Sequence, residues 1–399
     1  MNYLCAVDSH FYDYPGGTAR VAWDISLMMR EQGHDVTMFC KKPENGAIQT
    51  HQSEKEGIRI LYYQVPKSSR WNIFSGAHQI KAAFQAANEW LTETFWDVVH
   101  IHSLFTGTAV MKALTNIRSC VYTVHSPVVP EQKINWAHQG LIGRIKLCFG
   151  LNILWRFENR LLQKASAVHT LSEFTESQVH KFHGFENKTT VIPHWVRPEY
   201  KRSKTKQQAR QVLQWPQDIP VLFTLRNCIP RTGLDIALKA VIPLALQNKC
   251  LFVIAGDGPL RRKLQQQAEK AGANPAQILF TGRLSDEKLM LAYQAADLFV
   301  LPTVGLECFG LIIQESLAMD CPVVATDIGA IPEILKQILP EFIVPANNAT
   351  ILRTKIQDYL QGKLKVPSQN SLSEYVQRRY AKKIIYPKIV NLLTAHNKQ

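Results

Sequence analysis

Two glutamates set eight residues apart, Glu307 and Glu315, stand in the segment PTVGLECFGLIIQESLAMDCPVVATDIGAIPEIL, from Pro302 to Leu335. Carboxylates accept hydrogen bonds from paired hydroxyls, so one suits a ribose and the other a sugar ring. Along one continuous helix the two would be offset by about 80° and 12 Å, a poor shared site. With Glu307 on a loop and Glu315 in the first two turns of a helix opened by Gly310, both can face one pocket at the helix N-terminus. There the amides of Phe309, Gly310 and Leu311 would favour anionic or hydroxyl-rich ligands. The spacing alone is equally consistent with two acids that complement a helix dipole, each worth about 0.3–1 kcal/mol.

Open parallel sheets bind ligands at the carboxyl ends of their strands, where strand order reverses, so a ligand-binding residue should directly follow a strand. Other candidates meet that condition. Gly16 and Gly17 follow the first apolar run and precede a helix. Such a turn either lets backbone approach a diphosphate closely or simply joins two elements. Gly256, Asp257 and Gly258 lie in IAGDGPLRRKL, after a central apolar run. His125 ends VYTVH, while His100 and His102 end VVHIH, where structural and ligand-binding roles are both open.

The elements that must supply those ends alternate along the chain. Strands are predicted at Asn2–Asp8, Asp35–Cys40, Arg59–Tyr63, Val98–His102, Cys120–His125, Ala167–Leu171 and Thr190–Ile192, then at Val221–Arg226, Leu251–Ala255, Ile278–Thr281, Leu298–Pro302, Val323–Thr326 and Phe342–Val344. Helices such as Ala19–Gln32, Gly233–Ala245, Leu260–Ala271, Asp286–Ala295 and Gly310–Met319 separate them. Continuous Val/Ile/Leu strands between helices imply parallel sheets covered on both faces. Two such sets imply two doubly wound, Rossmann-like α/β domains. They are expected at 1–195 and 207–370, parted by PHWVRPEYKRSKTK (Pro193–Lys206). A last helix over Ser371–Ala395, within a segment 371–399, is expected to pack back on the first domain.

The Pro302–Leu335 string resembles the donor-binding signature of family 4 retaining glycosyltransferases, E-x-F-G-x-x-x-x-E followed by A-x-x-x-P-V-V-A-T and G-x-x-E. DYPGGTARVAWDISLMMREQGHDVTMF is similar to the family's G-G opening, IAGDGPLRRKL to its G-x-G-P turn, and TGRLSDEKLMLAYQAADLFVLPT to the approach to the glutamates. The likeness spans essentially the whole chain. It implies a GT-B fold, with Glu315 on the nucleotide ribose and Glu307 on donor-sugar hydroxyls. Phe309, Gly310 and Leu311 would supply backbone donors, and His125 would touch the donor sugar. One departure stands out. Relatives carry an Arg and, five residues on, a Lys that neutralise the donor pyrophosphate. In TLRNCIPRTGLDIAL the matching places hold Asn227 and Thr232. Arg226 and Arg231 are adjacent with the same separation, and after a one-residue shift both are expected to reach the pyrophosphate. A weakened or lost donor site is the alternative. VIPHWV, where relatives read V-I-P-N-G-V, is a smaller local change at His194–Trp195.

At 399 residues the chain suits two domains. No run of about 18 uncharged apolar residues offers a spanning helix. The start does not read as a signal peptide, and eight scattered cysteines without a C-x-x-C pair suit a reduced cytoplasmic protein. The formal charge of +14 is carried mainly by residues 201–399, with 26 Lys+Arg against 15 Asp+Glu. No RNP box, zinc-finger spacing or basic heptad region accompanies it, so nucleic acid is the weakest candidate partner. LIGRIKLCFGLNILWRF (Leu141–Phe157) mixes long apolar residues with cations. Domain packing is its default reading, and peripheral contact with an anionic membrane the sharper one. The resemblance implies a retaining, metal-independent glycosyltransferase without a cofactor, using a nucleotide-diphosphate sugar and a glycan or lipid-linked acceptor in cell-surface polysaccharide or glycolipid assembly. An epimerase or phosphorylase on the same fold, and a non-catalytic binding protein, are the competing readings.

Overall fold

The computed structural model describes residues 1–13, 16–43, 51–66, 75–137, 140–185, 188–368 and 370–395. Tyr14 and Pro15 of the glycine motif, and the side chain of Ile142, lie outside the described residues. The chain divides into two compact units, Met1–His194 with Ile385–Gln399, and Trp195–Ile384.

In the first unit the strands are β1 (Asn2–Ala6), β2 (Asp35–Lys41), β3 (Gln52–Lys55), β4 (Ile58–Tyr63), β5 (Trp96–Ile101), β6 (Ile117–Val124), β7 (Ala167–Thr170) and β8 (Thr189–Val191). They form one sheet in the order β3-β4-β2-β1-β5-β6-β7-β8. Every pairing is parallel except the β3–β4 hairpin. The polar edge strand β3 was not foreseen, because QSEK has no apolar residue to mark it. It exists because Glu56 and Gly57 both take positive φ, 51° and 75°, the turn that a two-residue hairpin demands.

The second unit holds β9 (Val221–Leu225), β10 (Leu251–Ala255), β11 (Ile278–Gly282), β12 (Leu298–Leu301), β13 (Val323–Thr326) and β14 (Ile343–Val344). Their order is β11-β10-β9-β12-β13-β14, all parallel. Phe223, Tyr293 and Phe299 pack ring to ring with centroids 5.4–5.6 Å apart at the centre of this core. Truncating one such ring costs about 3–5 kcal/mol.

Strand order reverses once in each sheet. In the first it does so at β1, flanked by β2 and β5; in the second at β9, flanked by β10 and β12. The residues just beyond β9 and β12 therefore border a ready-made crevice.

The last segment differs from the expected single helix. Helices Ser371–Tyr380 and Lys382–Thr394 are parted at Ala381, whose ψ of 145° is extended. The cause is tertiary. Val196 pairs with Ala381, and its amide donates to the Tyr380 carbonyl at 2.8 Å, which takes the backbone out of the helix. Residues 371–384 accordingly belong to the second unit, not the first, and only Ile385–Gln399 cluster with the first.

Candidate active site

Arg226 is the first residue past β9, and its amide still donates to the Ala255 carbonyl of β10 at 2.9 Å. That position requires Gly256. Its φ is +117°, and a Cβ there would lie 2.1 Å from the Arg226 carbonyl oxygen. Gly258 stands against the Cys228 carbonyl in the same way. Asp257 accepts from the Gly258 amide at 2.8 Å and lies 3.7 Å from Arg261. The residues expected to bind the donor thus also shape the loop that carries Arg226.

Arg226 points across the reversal. Its Nη1 donates to Glu307 Oε2 at 2.9 Å and its Nη2 to Thr303 Oγ1 at 2.9 Å. Thr303 in turn donates to the same Oε2 at 3.3 Å. Both bonds fall on Oε2, so Oε1 stands outside this network. The ion pair is largely withdrawn from solvent, with side-chain exposure of 8% for Arg226 and 13% for Glu307. Arg226 Nε is buried without a hydrogen-bond partner among the described residues.

The loop bearing Glu307 is braced from two further directions. Arg231 donates from Nη1 to the Leu306 carbonyl at 3.0 Å, and its own carbonyl accepts from Val304 and Gly305. Leu306 holds a left-handed φ of 55°, an uncommon state for a branched side chain. Beyond it, the Glu307 carbonyl accepts from the Ala330 amide at 2.8 Å. Gly329 permits this approach, since its φ is +63° and a Cβ would meet that carbonyl at 2.1 Å. Thr232, at the family's lysine position, donates its hydroxyl within the turn to Asn227 and Ile229 carbonyls, whereas Asn227 is exposed.

Glu315 sits in the second turn of the helix Leu311–Ala318, which Gly310 starts from φ +92° with no side-chain cap. No side chain caps the first amides of that helix, and the Ile313 amide bonds back to the Gly310 carbonyl at 2.9 Å. Phe309 is buried beneath, 6.5 Å from the Tyr380 ring. Glu315 Oε2 accepts from the Tyr293 hydroxyl at 3.0 Å. Burial, then the Glu315 charge, holds that phenol well above its ordinary range, so it stays a donor. Tyr293 was missed in the sequence, where it reads as one more apolar residue of a helix.

The first unit gathers its histidines separately. Tyr3, His100, Thr123 and His169 form a chain across β1, β5, β6 and β7, with contacts of 2.7, 2.6 and 2.9 Å, ending on the Ile192 carbonyl at 2.7 Å. That carbonyl can only accept, so His169 donates from Nε2 and its Nδ1 must accept from Thr123. Thr123 then accepts from His100 Nε2, and His100 Nδ1 accepts from Tyr3. Every proton in the chain is fixed provided both rings are neutral. Burial enforces this, pushing His169 down to about 4 and His100 well below its ordinary value.

His125, at the end of β6, meets His102 instead, Nε2 to Nδ1 at 2.9 Å. At the β1–β5 reversal Asp8 accepts from the Thr106 hydroxyl at 2.6 Å, and burial raises its carboxyl. His194, read as a local change, is 1% exposed and donates to Asp24 at 3.0 Å. Gly16 is extended at the start of helix Gly17–Glu31, and a Cβ there would meet nothing within 4 Å. No disulfide joins the described cysteines, and no group of three or more His, Cys, Asp or Glu among the described residues is placed to hold a metal.

Known proteins align with both units. Residues 15–200 match the model for Glycosyltransferase Family 4, and residues 205–379 that for Glycosyl transferases group 1. A phosphatidyl-myo-inositol mannosyltransferase of Mycobacterium leprae is 22% identical over 96% of this chain and 93% of its own. Sucrose-phosphate synthase from Thermosynechococcus elongatus superposes with a TM-score of 0.80 at 20% identity, over 98% of this chain and 97% of that one. HepE of Anabaena, solved in complex with UDP-glucose, superposes with a TM-score of 0.74 at 18% identity, over 99% and 100%. Two family models in tandem, the paired glutamates they frame and two parallel sheets of this order make one statement: the chain belongs to glycosyltransferase family 4, has the GT-B fold, and is a glycosyltransferase.

Proposed function

We propose that this enzyme moves a sugar, with retention, from a nucleotide-diphosphate sugar to a glycan or lipid-linked acceptor in cell-surface polysaccharide or glycolipid assembly, without a metal. The observation that carries the reading is the Arg226–Thr303–Glu307 network beside the uncapped helix that bears Glu315. Holding Oε2 from two sides leaves Glu307 Oε1 for a donor-sugar hydroxyl, and Glu315, steadied by Tyr293, suits the ribose. The open amides at Gly310–Leu311 would face the diphosphate, with the guanidinium groups of Arg226 and Arg231 alongside. As the diphosphate leaves, its growing charge is met by groups already in place, where preorganised donors contribute most. The acceptor hydroxyl attacks from the same face through an oxocarbenium-like state, which needs no covalent nucleophile.

A lipid-linked acceptor also suits the first unit's surface. Ile145, Phe149 and Ile153 recur every four residues and are 46%, 72% and 52% exposed, with Arg144, Lys146, Arg156 and Arg160 around them. Exposed apolar residues ringed by cations are what an anionic leaflet binds. No helix of the described residues is long and apolar enough to cross a membrane; the contact proposed is peripheral, at the cytoplasmic face.

The reading is tested by offering a panel of nucleotide-sugars and following nucleoside diphosphate release and thermal shift. One donor should be turned over, with Glu307→Gln losing turnover and Glu315→Ala losing donor affinity. A panel that yields neither release nor a shift overturns it. Flotation with anionic vesicles at low salt tests the surface: protein left in the dense fraction would remove membrane contact.

A further inference from the structure

Between His102 and His125 a single proton is shared by two facing nitrogens, His102 Nδ1 and His125 Nε2, 2.9 Å apart. Two neutral arrangements are open. If His125 donates, its Nδ1 is bare, and His102 must carry its proton on Nε2. That nitrogen is buried without a hydrogen-bond partner among the described residues, so an N–H there would be an orphaned donor. If His102 donates, its Nε2 is an empty lone pair and no donor is stranded. Orphaned buried N–H groups are the rarer defect in folded proteins. His102 is 3% exposed and its ring lies 4.1 Å from that of His100, whose nitrogens are already occupied by Tyr3 and Thr123, so His100 offers no relief.

We propose that His102 is a positioning residue that fixes His125 as the neutral Nδ1–H tautomer, so that His125 gives a hydrogen bond to a ligand oxygen and takes no proton from it. Its one lone pair, on Nε2, is filled by His102. Neutrality of the pair has an independent support: burial pushes His125 down to about 3 and His102 well below its ordinary value. His125 is half-buried at the strand end, which leaves Nδ1 as its nitrogen for a ligand. A ligand atom opposite it must be an acceptor, such as a sugar hydroxyl or phosphate oxygen. This deepens the transferase reading, on which the ligand's identity rests, but the tautomer does not depend on it.

The experiment is a long-range proton–nitrogen correlation spectrum of the full chain labelled with 15N-histidine at neutral pH, with His125→Gln identifying the resonances. Wild type should show His125 protonated on Nδ1 and bare on Nε2. His102→Asn, whose amide nitrogen stands near the position of imidazole Nδ1, should keep that pattern, and His102→Phe should lose it. In a donor-turnover assay His102→Phe should fall on the order of tenfold while His102→Asn stays near wild type, the scale of one hydrogen bond. A wild-type spectrum with His125 protonated on Nε2, or doubly protonated, overturns the proposal without any variant having to fold. So does an unchanged pattern in folded His102→Phe. The expected spectrum with no turnover of any donor would uphold the tautomer and overturn the transferase reading instead.

Discussion

The guanidinium of Arg226 lies 2.9 Å from the carboxylate of Glu307, joining the residue after β9 to the loop after β12. The pair is buried enough that removing one partner leaves an uncompensated charge. Arg226→Ala should lower stability by about 3 kcal/mol, and Glu307→Met by a comparable amount. Arg226→Met/Glu307→Met should be less damaged than the sum of the singles. Urea unfolding of the four proteins measures the coupling; strictly additive losses would mean that the contact contributes nothing.

Gly256 offers a test at a position that need touch no ligand. Gly256→Ala should destabilise the second unit by about 2 kcal/mol or more, because φ and the Arg226 carbonyl both oppose a Cβ. Donor affinity should fall with it as Arg226 shifts. Calorimetric titration with the accepted donor, beside a melting curve, follows both quantities.

Tyr293→Phe removes only the hydroxyl that steadies Glu315. The expected stability loss is about 1 kcal/mol. Donor KM should rise several-fold with acceptor KM unchanged, and a change confined to the acceptor would place Glu315 elsewhere in the reaction.

Acid should weaken the first unit. Unfolded histidines bind protons below about pH 6.5, whereas folded His169 does so only near 4 and His125 near 3. The unfolded state therefore binds more protons as pH falls from 7, and His169 alone can cost about 3 kcal/mol by pH 4. Asp8, raised by burial, works the opposite way. Melting temperature against pH should decline below about 6.5. A flat curve would show that these rings are charged or exposed.

Gln314 is fully buried, and both of its amide atoms lack partners among the described residues. Gln314→Met keeps the length and drops the polar cost. It should gain about 1 kcal/mol with turnover unchanged, which thermal melting and a donor-turnover assay would check together.

The central strands were legible because they are runs such as VLFTL or LFVIA, buried on both faces, and such runs announce themselves without knowledge of their neighbours. The Glu307–Glu315 segment was legible because its loop and helix lie within one short stretch. What the sequence hid depends on distance along the chain. Arg226 meets a glutamate 81 residues away, and nothing in TLRNCIPR says that its charge turns toward that loop. Asp8 and Thr106 are 98 residues apart. Tyr293 is distinguished from its apolar neighbours only by where its hydroxyl ends. At Ala381 the interruption comes from Val196, so no local glycine or proline marks it.

The pairing of Val196 with Ala381 bears on the order of synthesis. Residues 195–384 form a closed excursion that leaves the first unit after His194 and returns to it at Ile385. The ribosome must therefore finish the whole second sheet before it emits the residues that complete the first unit. During translation the early-made part of the first unit waits without Ile385, Ile389 and Leu393, all of them buried in the finished protein. The second unit, contiguous in sequence, can close as soon as it emerges. The part of the chain that is made first is completed last.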